Sequence, residues 1–122
     1  MSIRRVVPDL VSRRLEATQA FYLNVMGFQV AMDIPINAGR IVTLVSPDHP
    51  TAQISLLSGR PSVSPQEPNL TIEVEDVDAY HAKAVAAGAQ VIYPVTTEPW
   101  GVRRFFVTDP DGVVINVMTH PR

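Results

Sequence analysis

Trp100 is the sole tryptophan of the chain, and Pro99 and Gly101 hold it in a loop, outside any regular element. Arg103 and Arg104 follow at once. An indole in such a loop is a flat stacking platform for a planar ligand. The guanidinium groups stack on aromatic rings or meet an acidic group. The competing structural roles are a Trp wedged against its own or a partner's sheet and arginines on a solvated edge strand. Asp9 is a candidate acceptor for a cationic ligand, or else bonds a neighbouring backbone group. Asp9 or Glu73 as a general base would need a second positioned group, and no spacing supplies one. The histidines, His49, His81 and His120, have no i, i+4 partner and no His-x-Glu spacing, so they read as solvated or locally bonded rather than as ligands. The chain has no cysteine, which excludes disulfides, thiolate catalysis and Cys-based zinc sites.

The elements that position these groups are announced by a repeat. Gly27-Phe28-Gln29-Val30 returns 61 residues later as Gly88-Ala89-Gln90-Val91. At the same offset Ile54-Ser55-Leu56-Leu57 faces Ile115-Asn116-Val117-Met118. A self-match in a chain of 122 residues points to two halves of one duplicated domain. Strands are expected over residues 3–11, 28–34, 40–45 and 53–57 in the first half. A helix is expected over 13–26, with Ala17, Phe21 and Val25 on its buried face and Gly27 at its end. The second half repeats the order: strand 70–74, a helix capped by Asp76 with Val77, Tyr80, Ala84 and Ala87 on one face, then strands 90–95, 103–108 and 113–119. Asp109-Pro110-Asp111-Gly112 is a turn by its proline and glycine. The Pro- and Ser-rich stretch 58–68 reads as a linker, so the repeats are about 1–58 and 68–122 of a single 122-residue domain.

Strand parity separates two faces. Ile54 and Leu56, Leu70, Ile72 and Val74, and Val113, Ile115 and Val117 form apolar rows that belong under the helices. The opposite rows carry Asp9; Gln53, Ser55 and Leu57; Asn69, Thr71 and Glu73; and Val114, Asn116 and Met118. A face of small polar groups with a few apolar ones suits a sheet lining a wet pocket. The parity of Arg103 and Arg104 is open, because two arginines followed by two phenylalanines put one of each on both faces.

Hydrophobic content of 46% and charged content of 18% mark an ordinary globular protein. A net charge of −2 gives no reason to expect nucleic acid or an anionic membrane as a partner. No apolar run approaches the length of a membrane span and no apolar stretch follows Arg4 and Arg5, so a cytoplasmic location is expected.

Two β-α-β-β-β units, the segment Phe21-Tyr22-Leu23-Asn24-Val25-Met26-Gly27-Phe28 and the segment Phe106-Val107-Thr108-Asp109-Pro110-Asp111-Gly112 together resemble the glyoxalase / bleomycin-resistance / extradiol-dioxygenase superfamily. The resemblance covers nearly the whole chain. It implies an α+β fold: tandem βαβββ units forming curved mixed sheets around a cleft, with helices on the outer faces. Metal-binding members hold a divalent ion with His and Glu from the first and last strands of each half. Those positions fall here on Val7, Ser55, Asn69 and Asn116, none an imidazole or carboxylate, so no metal or other cofactor is expected. Glu98-Pro99-Trp100-Gly101 is similar to the Pro-Trp-Gly segment of metal-free, bleomycin-resistance-type members. The implied function is a metal-free, homodimeric small-molecule binding protein that sequesters an aromatic or antibiotic-like ligand. No catalytic residue is assigned. The expected ligand-binding residues are Asp9, Ser55, Asn69, Thr71, Trp100, Arg103, Arg104 and Asn116. The alternatives are a metal-dependent isomerase, lyase or ring-cleaving dioxygenase of the same fold with ligands elsewhere, and a fold kept for protein assembly.

Overall fold

Among the described residues ten elements follow one another as the repeat requires: β1 (Ile3–Val11), α1 (Leu15–Asn24), β2 (Gln29–Ile36), β3 (Gly39–Val45), β4 (Gln53–Ser58), β5 (Leu70–Val74), α2 (Val77–Ala86), β6 (Gln90–Thr97), β7 (Arg103–Thr108) and β8 (Val114–Thr119). This is a computed structural model, and it describes residues 2–36, 39–59 and 67–120. Most of the expected linker, 60–66, therefore lies outside the described residues. The strands belong to an eight-stranded mixed sheet with β2 and β6 as its edges. Two helices and this sheet make the fold α+β, as expected.

The chain divides into two compact units, one comprising Val7–Ser62 and the other Met1–Val6 with Val63–Arg122. In the Val7–Ser62 unit the strand order is β2-β3-β4-β1. β1 runs parallel to β4, with Asp9 opposite Ser55, and the remaining pairs are antiparallel. Alternation along β3 and β4 sends Val42, Leu44 and Leu56 to one face, where they are fully buried with Leu15 of α1. Tyr22, Leu23, Phe28 and Ile54 complete this core.

The face of α1 differs from the expectation. Phe21 and Val25 are 50% and 66% exposed, and Ala17 is exposed too. Leu15, Tyr22 and Leu23 pack instead, at spacings of seven and eight, which lie on one side of a helix as well as the expected stripe does. The helix is also shorter than expected. Arg14 at its N-cap makes no side-chain capping bond.

In the second unit β5 runs parallel to β8, with Thr71 opposite Asn116, and the order continues to β7 and β6. Asp76 caps α2 by accepting from the Ala79 backbone N–H at 3.1 Å, which satisfies one of the free donors of the first turn. Val77, Tyr80 and Ala84 pack on Ile72, Val74, Phe105, Ile115 and Val117. Ala87 is the C-cap and is exposed. The parity reading of the apolar rows thus holds in both units, except that Val113 precedes β8 and is exposed.

Candidate functional site

The face of each unit turned away from its helix carries the expected polar residues, and Ser55, Thr71 and Asn116 among them are buried. In the Val7–Ser62 unit, Ser55 and Thr43 are opposite one another on β4 and β3 and are 8% and 5% exposed. Their hydroxyls are 3.2 Å apart and share one hydrogen bond. Asp9 is half-buried on β1, in register with Ser55. Val7, on the same strand, is buried and brings no donor atom.

In the other unit the same face is richer. Asn116 and Thr71 are each 8% exposed, and Asn116 Nδ2 donates to Thr71 Oγ1 at 3.1 Å. Asn116 Oδ1 is buried without a hydrogen-bond partner. A polar atom left so costs about 1–3 kcal/mol of folding stability, and in native proteins it usually finds a water or a ligand. Asn69 is exposed at the start of β5 and works structurally: its backbone N–H donates to the Val114 carbonyl, and its Oδ1 accepts from the Val114 N–H at 3.0 Å.

The register of β7 on β8 separates the two arginines. Arg104 lies opposite Met118 and Phe106 opposite Asn116, so Arg104 shares the Asn116 face. Arg103 is on the helix side, where its Nε and Nη2 donate to Asp78 of α2 and its Nη1 to Thr97. Those bonds hold the Asp78 carboxyl below the ordinary carboxylate range. The structure therefore brings Arg104, Thr71 and Asn116 onto one face and leaves Arg103 off it. Nor does either arginine sit on an edge strand, since β7 lies between β6 and β8.

Arg104 is the centre of a group that sequence reasoning missed. Its Nε donates to Glu98 Oε2 at 2.7 Å, and both side chains are under 9% exposed. Tyr93 donates its hydroxyl to the same carboxylate at 3.0 Å. Three rings surround the guanidinium: Phe106 at 4.8 Å, Trp100 at 5.2 Å and Tyr93 at 5.6 Å from their centroids. The loop that carries Trp100 is closed by two backbone bonds, from Glu98 N–H to Val102 O and from Gly101 N–H to Glu98 O. Gly101 has φ +98°, a conformation that favours glycine. Trp100 is thus fixed beside Arg104 yet remains 37% exposed. The sequence sets Trp100 beside the arginine pair, whereas Glu98 and Tyr93 carry no advance signal beyond the spacing of Glu98 and Arg104 across a short loop.

Further along this face Glu73 bonds His120 at 3.1 Å and forms an ion pair with Arg5. Burial pushes the Glu73 carboxyl up, but the bonds from His120 and Arg5 outweigh it and hold the group below its ordinary value. His81 packs its ring edge-on against Phe105.

The four positions at which the resemblance places metal ligands do not fit a divalent cation. Val7 has no donor, Ser55 is bonded to Thr43, Asn69 Oδ1 is taken by the Val114 N–H, and the Asn116 carboxamide carries no charge. Among the described residues no three His, Cys, Asp or Glu side chains gather into a metal-holding group. No described helix is long and apolar enough to cross a membrane.

Comparison with known proteins places this geometry. The protein YwbC of Bacillus subtilis (strain 168), uncharacterized, is 29% identical over 109 residues, 84% of this chain and 86% of its own. The fold is similar to the hypothetical protein BH1468 of Bacillus halodurans C-125, with a TM-score of 0.81, 14% identity, and coverage of 100% of this chain and 97% of the other. It is also similar to methylmalonyl-CoA epimerase from Mycobacterium tuberculosis, with a TM-score of 0.76, 20% identity, and coverage of 98% and 88%. At these identities the structural likenesses speak to fold alone. The model of the Glyoxalase/Bleomycin resistance protein/Dioxygenase superfamily matches residues 3–117, nearly all of both βαβββ units, and the chain belongs to that superfamily.

Proposed function

We propose that this chain is a metal-free small-molecule binding protein that takes a planar aromatic or antibiotic-like ligand against Trp100. The observation that carries the reading is the pinned, part-exposed indole beside a buried guanidinium. A fixed ring loses little freedom when a ligand stacks on it, so its apolar surface is available for binding at low entropic cost. The residues at the four ligand positions support a site without a Lewis acid, since none of them balances the charge of a divalent ion. The reading keeps Arg104, Asn116 and Thr71 as the polar wall beside Trp100. Asp9 and Ser55 are the polar residues at the corresponding places of the other unit. Asn69 and Arg103 are occupied by structural bonds and act indirectly, Asn69 by holding the start of β8 and Arg103 by tying β7 to α2. The reading includes a cytoplasmic homodimer, which sedimentation of the purified chain tests for its oligomeric state.

Trp100 reports on its own site, because it is the one tryptophan. A panel of planar heteroaromatic compounds and antibiotics, titrated while indole emission is recorded, is expected to give saturable quenching with at least one member. A panel that changes neither emission nor melting temperature argues against the proposal. The superfamily's metal-dependent enzymes are the other reading, and a stoichiometric transition metal that survives chelation would favour it.

A further inference from the structure

Among the described residues, the one buried side-chain polar atom of the Trp100-bearing unit without a partner points to the chemistry of the ligand. Asn116 makes a single side-chain bond, from Nδ2 to Thr71, and its Oδ1 is left as a bare acceptor. In register beside it stands Phe106, and over the Phe106 ring, 4.8 Å from its centroid, lies the guanidinium of Arg104. Glu98 accepts from Arg104 Nε alone, so the donors of Nη1 and Nη2 are not used by that ion pair. One face therefore offers an acceptor, donors and aromatic rings. A leucine at position 116 would pack there without an unsatisfied atom, so a fold-only role does not account for the carboxamide.

We infer that Asn116 and Arg104 select a planar heteroaromatic ligand of lactam type, one that carries a ring N–H next to a carbonyl. The N–H donates to Asn116 Oδ1 and the carbonyl accepts from Arg104. This rests on the proposed Trp100 site and adds to it the hydrogen-bonding pattern of the occupant. A purely apolar ring leaves Oδ1 as it is in the free protein and gains only stacking. A ring whose nitrogen is methylated buries the acceptor against a methyl group. Discrimination between such matched rings is large when a buried polar group loses its partner.

Three probes isolate the pattern: 2-quinolone, which has both groups, N-methyl-2-quinolone, which lacks the donor, and quinoline, which lacks the donor and the carbonyl. Their affinities are measured by calorimetry on the full chain and on two variants, Asn116→Leu and the double variant Asn116→Leu with Thr71→Val. On the unmodified chain 2-quinolone is expected to bind at least tenfold more tightly than either analogue. On a folded variant the preference disappears, while the melting temperature stays equal or rises because the unpartnered atom is gone. The double variant replaces both members of the Asn116–Thr71 bond with apolar groups, and so guards against a loss of folding in the single one. Equal binding of all three probes to the unmodified chain would overturn the lactam inference and leave the stacking site standing. A variant that keeps the tenfold preference would overturn the role of Asn116. Failure of all three to bind would overturn the lactam inference, while the Trp100 reading stands or falls with the panel titration.

Discussion

At the scale of single residues the most consequential interaction is the ion pair of Glu98 and Arg104. Both charges are buried, and what compensates them is local: the Tyr93 hydroxyl on the carboxylate and three aromatic rings around the guanidinium. Such a pair adds little net stability, but removing one partner strands the other. Glu98→Gln is expected to lower stability by about 3 kcal/mol in urea unfolding. The apolar double variant Glu98→Leu with Arg104→Met should recover most of that loss, which separates charge burial from packing. Glu73 gives a pH-dependent counterpart. Its folded-state carboxyl titrates below its ordinary value of 4.5, chiefly because the bonds from His120 and Arg5 outweigh burial. The stability it contributes is present above the unfolded value and is lost as pH falls through the lower folded value. The melting-temperature gap between the natural chain and Glu73→Gln should therefore close as pH falls below about 5. A gap that widens on acidification would refute this assignment.

At the scale of elements, β3 and β4 approach so closely at one point that no side chain fits. A Cβ at Gly39 would stand 1.7 Å from the Ser58 carbonyl oxygen, which is backbone and has nowhere to retreat. Gly39→Ala is expected to cost at least about 2–3 kcal/mol, visible as a lower urea midpoint. A midpoint unchanged within error would show that the β3–β4 end is looser than this contact requires. What the sequence made legible at this scale was the order of elements, the Asp76 cap and the apolar rows under the helices. Strands repeat with period two, and a row of Ile, Leu and Val at that period admits one buried side. The face of α1 was not legible, because two stripes, Ala17-Phe21-Val25 and Leu15-Tyr22-Leu23, have equal claims by spacing, and only packing on Leu44 and Leu56 decides. Nor was the side of Arg104. It depends on the β7–β8 register, and a slip of one residue flips every side chain. Asp109 sets that register: its Oδ1 accepts from the N–H groups of Asp111 and Val113, and its own N–H donates to the Val113 carbonyl, so the loop runs one residue beyond the four-residue turn. The Glu98–Arg104–Tyr93 group stayed hidden for the same reason, since its members share a face only in the observed register.

At the scale of the whole molecule the duplication is kept where it builds the sheet and abandoned where chemistry would occur. Both units close a parallel pair of first and last strands over an antiparallel hairpin. At corresponding places one unit has Asp9, Ser55 and Thr43, and the other has Thr71, Asn116 and Phe106. Neither trio is a metal-binding set, and only the second unit adds the Trp100 loop. Superfamily members bind small molecules, and on the proposed reading the ligand of this chain is held without metal. The measurement that bears most directly on this account is calorimetric titration of the purified chain with 2-quinolone before and after exhaustive chelation. The account predicts saturable binding of one ligand per chain, with the same affinity in both preparations. Binding that vanishes on chelation and returns with an added divalent metal would contradict it.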